Sequence, residues 1–194
     1  MKISIIISSF KNFSYLKLCI DSLIKNSKFD HEIIVHINGE DKLSENYLIK
    51  KKLLYTKSNK NIGLCSGVNL ASKKSTNNYI MYSHDDMYFL PDWDTYLINE
   101  INRLKSNLFY FSVTQISYMP RHKGDLQHIH FDCGSDLTNF NEAKLLENFS
   151  KLEFRNLQGS HWAPHVVHKK IWNKVGGFSE EFNPGFASDP DLNM

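Results

Sequence analysis

The sequence has few cysteines, and their spacing shows neither disulfide pairs nor a metal centre. Its 3 cysteines, Cys19, Cys65 and Cys133, stand far apart, and no Cys-x-x-Cys pair occurs. An odd number of cysteines without metal-ligand spacing indicates free thiols in a reducing compartment. We therefore expect a cytoplasmic protein.

The sequence also lacks a long hydrophobic run. The apolar stretch near the N-terminus covers only residues 3–7, and no small-residue cleavage site follows it. No run approaches the roughly 18 apolar residues that a membrane-spanning helix needs. The pattern predicts neither a secretory signal nor a transmembrane helix, and it leaves open a peripheral association with the inner face of a membrane.

Neither sign of charge is in excess. The chain has 23 Lys and Arg against 21 Asp and Glu, and apart from residues 50–52 the lysines are spread along it. Nucleic-acid-binding proteins usually carry a basic patch or stripe, so we expect no nucleic-acid partner. With 194 residues, 41% of them hydrophobic, the chain is long enough for one domain with a substantial core.

The hydrophobic pattern alternates between the period of a strand and the period of a helix. It predicts strands at 3–7, 31–37, 53–56, 78–83 and 108–116, and helices at 14–26, 63–74 and 92–104, with Ser14 and Asp92 as helix N-caps. This order predicts an α/β fold with a mostly parallel sheet flanked by helices. Ligands of such sheets bind beyond the carboxyl ends of the strands, so we expect the loops after Ile7, Ile37 and Ser83 to form one crevice.

The pattern weakens between residues 117 and 162. This stretch is polar, rich in histidine and without a clear period. Its length is more typical of a functional loop region than of a simple connection. No linker or repeat marks a domain boundary.

Two adjacent carboxylates, Asp85 and Asp86, follow directly after the predicted strand at 78–83. Aspartate is common in turns, so the pair is compatible with a solvated turn ahead of the helix that begins near Asp92. A hard divalent cation bound at the strand end needs carboxylate oxygens in the same place. The residues alone leave both interpretations open.

Five segments in one order resemble a known family: ISIIISSF, NKNIGLCSGVNLA, HDDMYFLPDW, VGGFSEEF and SDPDLNM. The chain resembles the inverting family 2-type glycosyltransferases over essentially its whole length. The resemblance implies the GT-A fold and transfer of a sugar from a nucleotide-sugar donor, UDP- or another NDP-sugar, to a glycan or lipid-linked acceptor, as in polysaccharide biosynthesis.

The resemblance also implies a metal site. The family's Asp-x-Asp motif is matched by His84-Asp85-Asp86, in which Asp86 corresponds to the aspartate that binds a cation bridging the donor's diphosphate. His84 stands at the first position, so we expect Asp86 and His84 as metal ligands, and His84 and Asp85 as donor contacts. The expected cation is Mn²⁺ or Mg²⁺, and the imidazole favours Mn²⁺.

Further donor contacts are implied after the first two strands. Ser8, Ser9 and Phe10 take the place of the family's Pro-Thr-Tyr loop beside the base and ribose. The family usually has a base-reading aspartate where this chain has Ile37, so Asn38 or Glu40 is the expected substitute. This departure leaves the nucleotide base of the donor open.

The segment from Asn61 resembles the nucleotide side of the family's crevice. Asn61, Gly63 and Asn69 are the implied donor contacts, and the helix from Leu64 is expected to offer its first N–H groups to phosphate. An asparagine-glycine turn that caps a helix explains Asn61 and Gly63 equally well. A structural role is the favoured interpretation of Asn69.

The end of the chain resembles the segment that carries the family's catalytic base. After Gly176-Gly177-Phe178, Asp189 aligns with that base and Asp191 is the second candidate, while Ser188 replaces the usual glutamate. The alternative is that Asp189 is a helix N-cap with proline at the first helical position.

Acceptor contacts are implied upstream of the Gly-Gly-Phe segment, at His161, Trp162 and His165. A core tryptophan beside polar histidines is the alternative. Because family members generally continue beyond this point, we expect residues 1–194 to be a single GT-A domain truncated at its C-terminal end.

Two other functions fit parts of the pattern. A nucleotidyltransferase shares the crevice and the metal requirement, but SSFKNFS lacks the glycine-rich basic loop that such an enzyme normally carries after its first strand. A non-catalytic sugar-nucleotide-binding module is suggested by His84, Ile37 and the early end of the sequence.

Overall fold

The computed structural model describes residues 1–119, 128–153 and 162–193. Its strands are β1 (Ser4–Ser9), β2 (Glu32–Asn38), β3 (Leu54–Ser58), β4 (Tyr79–Ser83), β5 (Tyr110–Ser112), β6 (Gln115–Ser117), β7 (His128–His130) and β8 (His165–His168). Its α-helices are α1 (Phe13–Asn26), α2 (Lys42–Lys51), α3 (Leu64–Ser72), α4 (Trp93–Leu104), α5 (Glu142–Asn148), α6 (Lys169–Val175) and α7 (Ser188–Asn193). Two short 3₁₀ helices cover Phe149–Lys151 and Glu180–Phe182.

Six of these strands form one sheet in the order β3-β2-β1-β4-β8-β5. The first four run parallel, and β8 lies antiparallel between β4 and β5. Separately, β6 and β7 form a parallel pair. The predicted α/β architecture with a mostly parallel sheet is therefore confirmed.

The core lies on both faces of the sheet, which explains the unbroken apolar run in β1. Ile5 and Ile7 pack in one cluster with α1, whereas Ile6 packs in the opposite cluster with Val68 of α3. Successive side chains of a strand point to opposite faces, so a strand covered on both faces is apolar at every inner position. Because core side chains cover both faces of the strands, the candidate site begins where the strands end.

Three local expectations need correction. Helix α1 begins at Phe13, so Ser14 lies within its first turn, and Asn12 occupies the N-cap position without a side-chain cap bond. Helix α2 was not predicted as a separate element; Asp41 caps it by accepting hydrogen bonds from the N–H and Oγ of Ser44. The single strand predicted at 108–116 is divided into β5 and β6.

The histidine-rich stretch that follows contains regular structure. Within 117–162 the described residues include β7, α5 and a 3₁₀ turn, so this region is not only a loop. Asp92 occupies the N-cap position of α4, as predicted. None of the helices in the described residues is both long enough and apolar enough to cross a membrane.

Candidate functional site

The predicted loops converge at one edge of the sheet. Ile7 of β1 is in register with Ser83 of β4, and Tyr82 is in register with His165 of β8. Because β1, β2 and β4 are parallel, the segments after Ser9, Asn38 and Ser83 all leave from their carboxyl ends. The start of the antiparallel β8 lies beside them.

Asp85 is held by the loop that follows β1. Its Oδ2 accepts a 2.6 Å hydrogen bond from Ser9 Oγ, and its Oδ1 accepts a 3.1 Å bond from Asn12 Nδ2. Burial raises the pKa of Asp85, while these two donors act in the opposite direction. These two hydrogen bonds give both Asp85 oxygens a partner within the chain. They also join the His84-Asp85-Asp86 loop to the end of β1 and the residues that follow it.

His84 and Asp86 are the accessible members of the motif. The His84 side chain is 35% exposed and that of Asp86 is 55% exposed, with 3.9 Å between His84 Nδ1 and Asp86 Oδ1. The described residues contain no group of three or more His, Cys, Asp or Glu side chains placed to hold a metal ion. Mg²⁺ is usually held by one or two carboxylates together with substrate phosphates and water. Asp86, with His84 beside it, fits a cation shared in this way.

Asn38 organises the loop before α3. Its Nδ2 donates to Gly63 O at 3.0 Å, and its Oδ1 accepts from Ile62 N at 2.8 Å. Asn61 Oδ1 accepts the N–H of Gly63 at 2.9 Å. The Asn38 side chain is buried. These contacts give Asn38 and Asn61 a clear role in shaping the loop.

The first N–H groups of α3 already have acceptors. Leu64 N donates to Pro184 O at 3.0 Å, and Ser66 N donates to Asn183 Oδ1 at 3.4 Å. A Cβ added to Gly63, whose φ is +88°, would lie 2.1 Å from Asn183 Oδ1. The close approach that glycine permits is therefore to Asn183. The expectation that the Leu64 and Ser66 N–H groups face a phosphate is wrong in this structure.

Ser8 and Phe10 differ sharply in accessibility. Ser8 is 8% exposed and lies under α3, where a Cβ on Gly67 would come within 2.6 Å of Ser8 Oγ. Phe10 is 46% exposed, and its ring lies against Gly39. Of these two predicted donor contacts, Phe10 is the accessible one, and Lys11 Nζ lies 5.5 Å from its ring centroid.

Asn69 fastens the Gly-Gly-Phe segment to α3. Its Nδ2 donates to Phe178 O at 2.9 Å, and its Oδ1 accepts from Phe178 N at 3.0 Å. The side chain thus binds both polar groups of one backbone residue. These contacts support the structural interpretation of Asn69.

Asp189 faces the sheet from the first turn of α7. The helix begins at Ser188, so Ala187 is at the N-cap position and Asp189 is the second helical residue; the interpretation of Asp189 as the N-cap is wrong by two positions. Asp189 Oδ1 lies 3.4 Å from His165 Nε2, and 7% of the Asp189 side chain is exposed. Asp191 is half-buried two positions further along the same helix.

The predicted acceptor residues separate into three cases. Trp162 is 54% exposed, so it is not a core tryptophan. His165 is buried inside the sheet. His161 lies outside the described residues.

Tyr82 was missed by the sequence interpretation. Its ring contacts those of His84, His165 and Phe178, with centroids 5.5, 6.1 and 4.9 Å away. Burial raises the pKa of its hydroxyl well above the ordinary value. Its only sequence signal was its place near the end of a buried strand, just before the paired aspartates. Asn12 and Asn183 were also missed, because their partners are distant in sequence.

Comparison with solved structures gives relatives of the same fold. The structure of S. aureus TarS 1-349 has a TM-score of 0.67 and 14% identity, over 100% of this chain and 55% of that one. Its complex with UDP-GlcNAc has a TM-score of 0.67 at 16% identity, over 100% and 52% of the two chains. The mannosyltransferase PcManGT from Pyrobaculum calidifontis, in complex with GDP-Man and Mn²⁺, has a TM-score of 0.64 at 10% identity, over 98% and 50%. This chain thus spans about half the length of these structures.

Comparison of sequences assigns the family. No curated protein matches the chain. The family profile described as Glycosyl transferase family 2 matches residues 4–175, which is most of the sequence. The fold, the strand-end loops and this match lead to one conclusion: the chain belongs to glycosyl transferase family 2 and has the GT-A fold.

Proposed function

We propose that this chain transfers a sugar from a nucleotide-sugar donor to an acceptor hydroxyl with inversion of the anomeric centre, using Mn²⁺ or Mg²⁺. The observation that carries the proposal is the register of Tyr82 with His165. It puts the Asp86 loop, which follows β4, on the same edge of the sheet as Asp189, which contacts His165. A metal-dependent inverting transfer uses a cation at the leaving group and a carboxylate base at the acceptor.

The exposed carboxylate of Asp86 is the proposed primary metal ligand, and His84 the second. When bound, the cation neutralises the negative charge that develops on the departing nucleoside diphosphate. The loop is fixed by Asp85, whose bonds to Ser9 and Asn12 keep Asp86 at the mouth of the crevice. Asp85 is also a proposed donor contact, in addition to its bonds to Ser9 and Asn12.

The donor's base is proposed to stack on Phe10, the most exposed aromatic residue of the β1 loop. Ser8 and Ser9, the last two residues of β1, are further proposed donor contacts. So are Asn38, Asn61, Gly63 and Asn69, whose hydrogen bonds shape the loop before α3 and the Gly-Gly-Phe segment. The solved relatives are complexes with UDP-GlcNAc and with GDP-Man and Mn²⁺. UDP- and GDP-sugars are therefore the first donors to test.

Asp189 is the proposed catalytic base, with Asp191 as the second candidate. Its carboxylate accepts the proton of the acceptor hydroxyl as that oxygen forms a bond to the anomeric carbon. The bond from that carbon to the diphosphate oxygen breaks on the opposite face, and its electron pair leaves with the nucleoside diphosphate. Trp162 offers an exposed aromatic face for a sugar of a glycan or lipid-linked acceptor. His161 is proposed to contact the same acceptor.

The proposal also includes the domain organisation of the chain and its location in the cell. Residues 1–194 would form a single GT-A domain, which corresponds to about half of each solved relative. A place in polysaccharide biosynthesis, in the cytoplasm at the inner face of a membrane, is the setting that fits such an acceptor.

Turnover of UDP-GlcNAc and GDP-mannose in the presence of Mn²⁺ tests the proposal, with the anomeric configuration of the product read by NMR. Asp86→Ala should lower turnover about 100-fold or more, the usual effect of losing one stabiliser of transition-state charge. The matched control is Asp30→Ala, because Asp30 is exposed and paired with Lys2 at the opposite edge of the sheet. Unchanged turnover in Asp86→Ala, or retention of configuration, would contradict the proposal. Nucleotide binding without turnover would favour a non-catalytic binding module.

A further inference from the structure

Asp189 belongs to a polar cluster with His165 and Ser112, in which Asp189 and His165 are buried and Ser112 is half-buried. His165 Nε2 is 3.4 Å from Asp189 Oδ1, and His165 Nδ1 is 3.3 Å from Ser112 Oγ. The imidazole is thus placed between a hydroxyl on β5 and a carboxylate on α7. The side chain of His165 is 1% exposed, so an acceptor sugar in the crevice has no access to it.

His165 and Asp189 lie close together but do not form a hydrogen bond of standard geometry. His165 Nε2 and Asp189 Oδ1 are both buried, and neither has a hydrogen-bond partner within standard geometry among the described residues. Leaving a buried donor or acceptor unsatisfied costs about 1–3 kcal/mol. Catalytic hydrogen bonds are often long in a free enzyme and shorten when substrate binds. A small rotation of either side chain would satisfy both atoms at once.

Aromatic packing fixes the plane of the His165 ring. The ring lies nearly parallel to that of Tyr82, at an angle of 27° and a centroid distance of 6.1 Å. Tyr82 also contacts His84 of the metal loop at 5.5 Å. A continuous set of side chains therefore runs from His84 through Tyr82 and His165 to Asp189, and it sets the position of the base relative to the metal loop.

We propose that His165 is a positioning residue for Asp189, not an acceptor contact; this inference rests on the proposed role of Asp189 as the base. Ser112 Oγ–H donates to His165 Nδ1, which leaves the ring proton on Nε2 to donate to Asp189 Oδ1. The second oxygen of Asp189 then faces the acceptor and takes its proton. His165 keeps its own proton throughout.

Substitutions at position 165 separate positioning from binding. His165→Leu removes the donor while keeping an apolar side chain of similar bulk, and His165→Gln keeps an N–H near the position of Nε2. With UDP-GlcNAc or GDP-mannose and Mn²⁺, we expect His165→Leu to lower kcat about tenfold or more with little change in KM, and His165→Gln to recover most of it. A rise in the acceptor KM at constant kcat, or equal losses in both variants, would overturn the proposal.

His168→Gln is the matched control. His168 lies on the same strand, is also buried, and is in register with Tyr79 at the far end of β4. Its Nδ1 accepts from Lys170 N at the start of α6. We expect the melting temperature of this variant to fall slightly and kcat to stay the same. A drop in kcat as large as that of His165→Leu would mean that any loss on β8 disturbs the site, which would overturn the specific role of His165.

A measurement that does not depend on turnover tests the positioning role of His165 separately from the role of Asp189 as the base. Long-range ¹H–¹⁵N NMR of the imidazole should show the Nε2–H tautomer of His165, and Asp189→Asn should shift its Nε2 resonance. The Nδ1–H tautomer, or no response to Asp189→Asn, would overturn the positioning role. Full turnover by Asp189→Asn would instead remove Asp189 as the base, whatever the NMR shows.

Discussion

Ser9 Oγ lies 2.6 Å from Asp85 Oδ2 and donates a hydrogen bond to it. This bond joins the end of the first strand to the loop that carries Asp86, and Asn12 adds a second bond to the same carboxylate. The position of the exposed Asp86 is therefore set by the neighbouring Asp85, which is itself held by two hydrogen bonds. The predictions below test this and the other contacts that shape the site.

Ser9→Ala should lower the free energy of unfolding by about 1.5–3 kcal/mol, the range for a hydrogen bond to a charged group. The half-buried Asp85 carboxylate would lose its shortest bond. Urea unfolding measures the change. Ser8→Ala is the matched control, because Ser8 Oγ lies against α3 near Gly67 and is not a partner of Asp85. Equal losses in the two variants would contradict the role given to the Ser9–Asp85 bond.

Asn69→Ala should loosen the segment that leads to Asp189. Asn69 bonds both the N–H and the C=O of Phe178, and removing it leaves both backbone groups without those partners, at a cost of about 1–3 kcal/mol. Asn69→Asp keeps the acceptor for the Phe178 N–H but puts a carboxylate oxygen where Nδ2 lay, 2.9 Å from Phe178 O and 3.2 Å from Glu180 Oε1, so its loss should be at least as large. Hydrogen exchange of the Phe178 amide should accelerate in Asn69→Ala. An unchanged exchange rate would contradict this assignment.

Gly67→Ala should push α3 away from the sheet and lower the stability of the protein. A Cβ at this position would lie 2.6 Å from both His36 Cδ2 and Ser8 Oγ, two buried side chains. Overpacking of this kind typically costs about 1–3 kcal/mol. Gly176→Ala is the comparison, because a Cβ there meets nothing within 4 Å and only its φ of +87° is unfavourable. A melting temperature for Gly67→Ala at the wild-type value would contradict the close packing.

Stability should fall as the pH drops below about 6.5. Burial lowers the pKa of His31, His36 and His168 from the ordinary value of 6.5. The unfolded chain then takes up protons at a higher pH than the folded chain, so the free energy of unfolding decreases as the pH falls from 6.5 through the folded pKa values. Urea unfolding between pH 7.5 and 5 measures this change in the free energy of unfolding, which should depend less on pH in His36→Gln. A stability that is constant or rising over this range would show the opposite sign.

The sequence predicted the elements whose pattern reports burial directly. The run at residues 3–7 is apolar at each position because both faces of β1 are covered, and the place of Asp85 and Asp86 followed from the end of such a strand. Helix α2 was not predicted, because lysines and single apolar residues give it only a weak apolar face. Its start depends on the local cap at Asp41.

The contacts between loops were beyond the reach of sequence patterns. Asn12 meets Asp85 and His165 meets Asp189 only after the sheet has brought distant segments together. Hydrophobic periodicity identifies a buried face but not the side chains that meet beyond the strand ends. The family resemblance implied an acceptor contact at His165, although it is buried. It also implied that the first N–H groups of α3 face a phosphate, although Pro184 and Asn183 already accept from Leu64 and Ser66.

The central claim is that Asp86 binds a cation that in turn binds the donor's diphosphate. The most direct measurement is the melting temperature with UDP or GDP, with and without Mn²⁺, for the wild type, Asp86→Ala and the control Asp30→Ala. A ligand at a hundredfold excess over its Kd stabilises by about 2.7 kcal/mol. The account predicts stabilisation of the wild type and of Asp30→Ala only when nucleotide and Mn²⁺ are both present, and none for Asp86→Ala. Equal stabilisation of Asp86→Ala would contradict it.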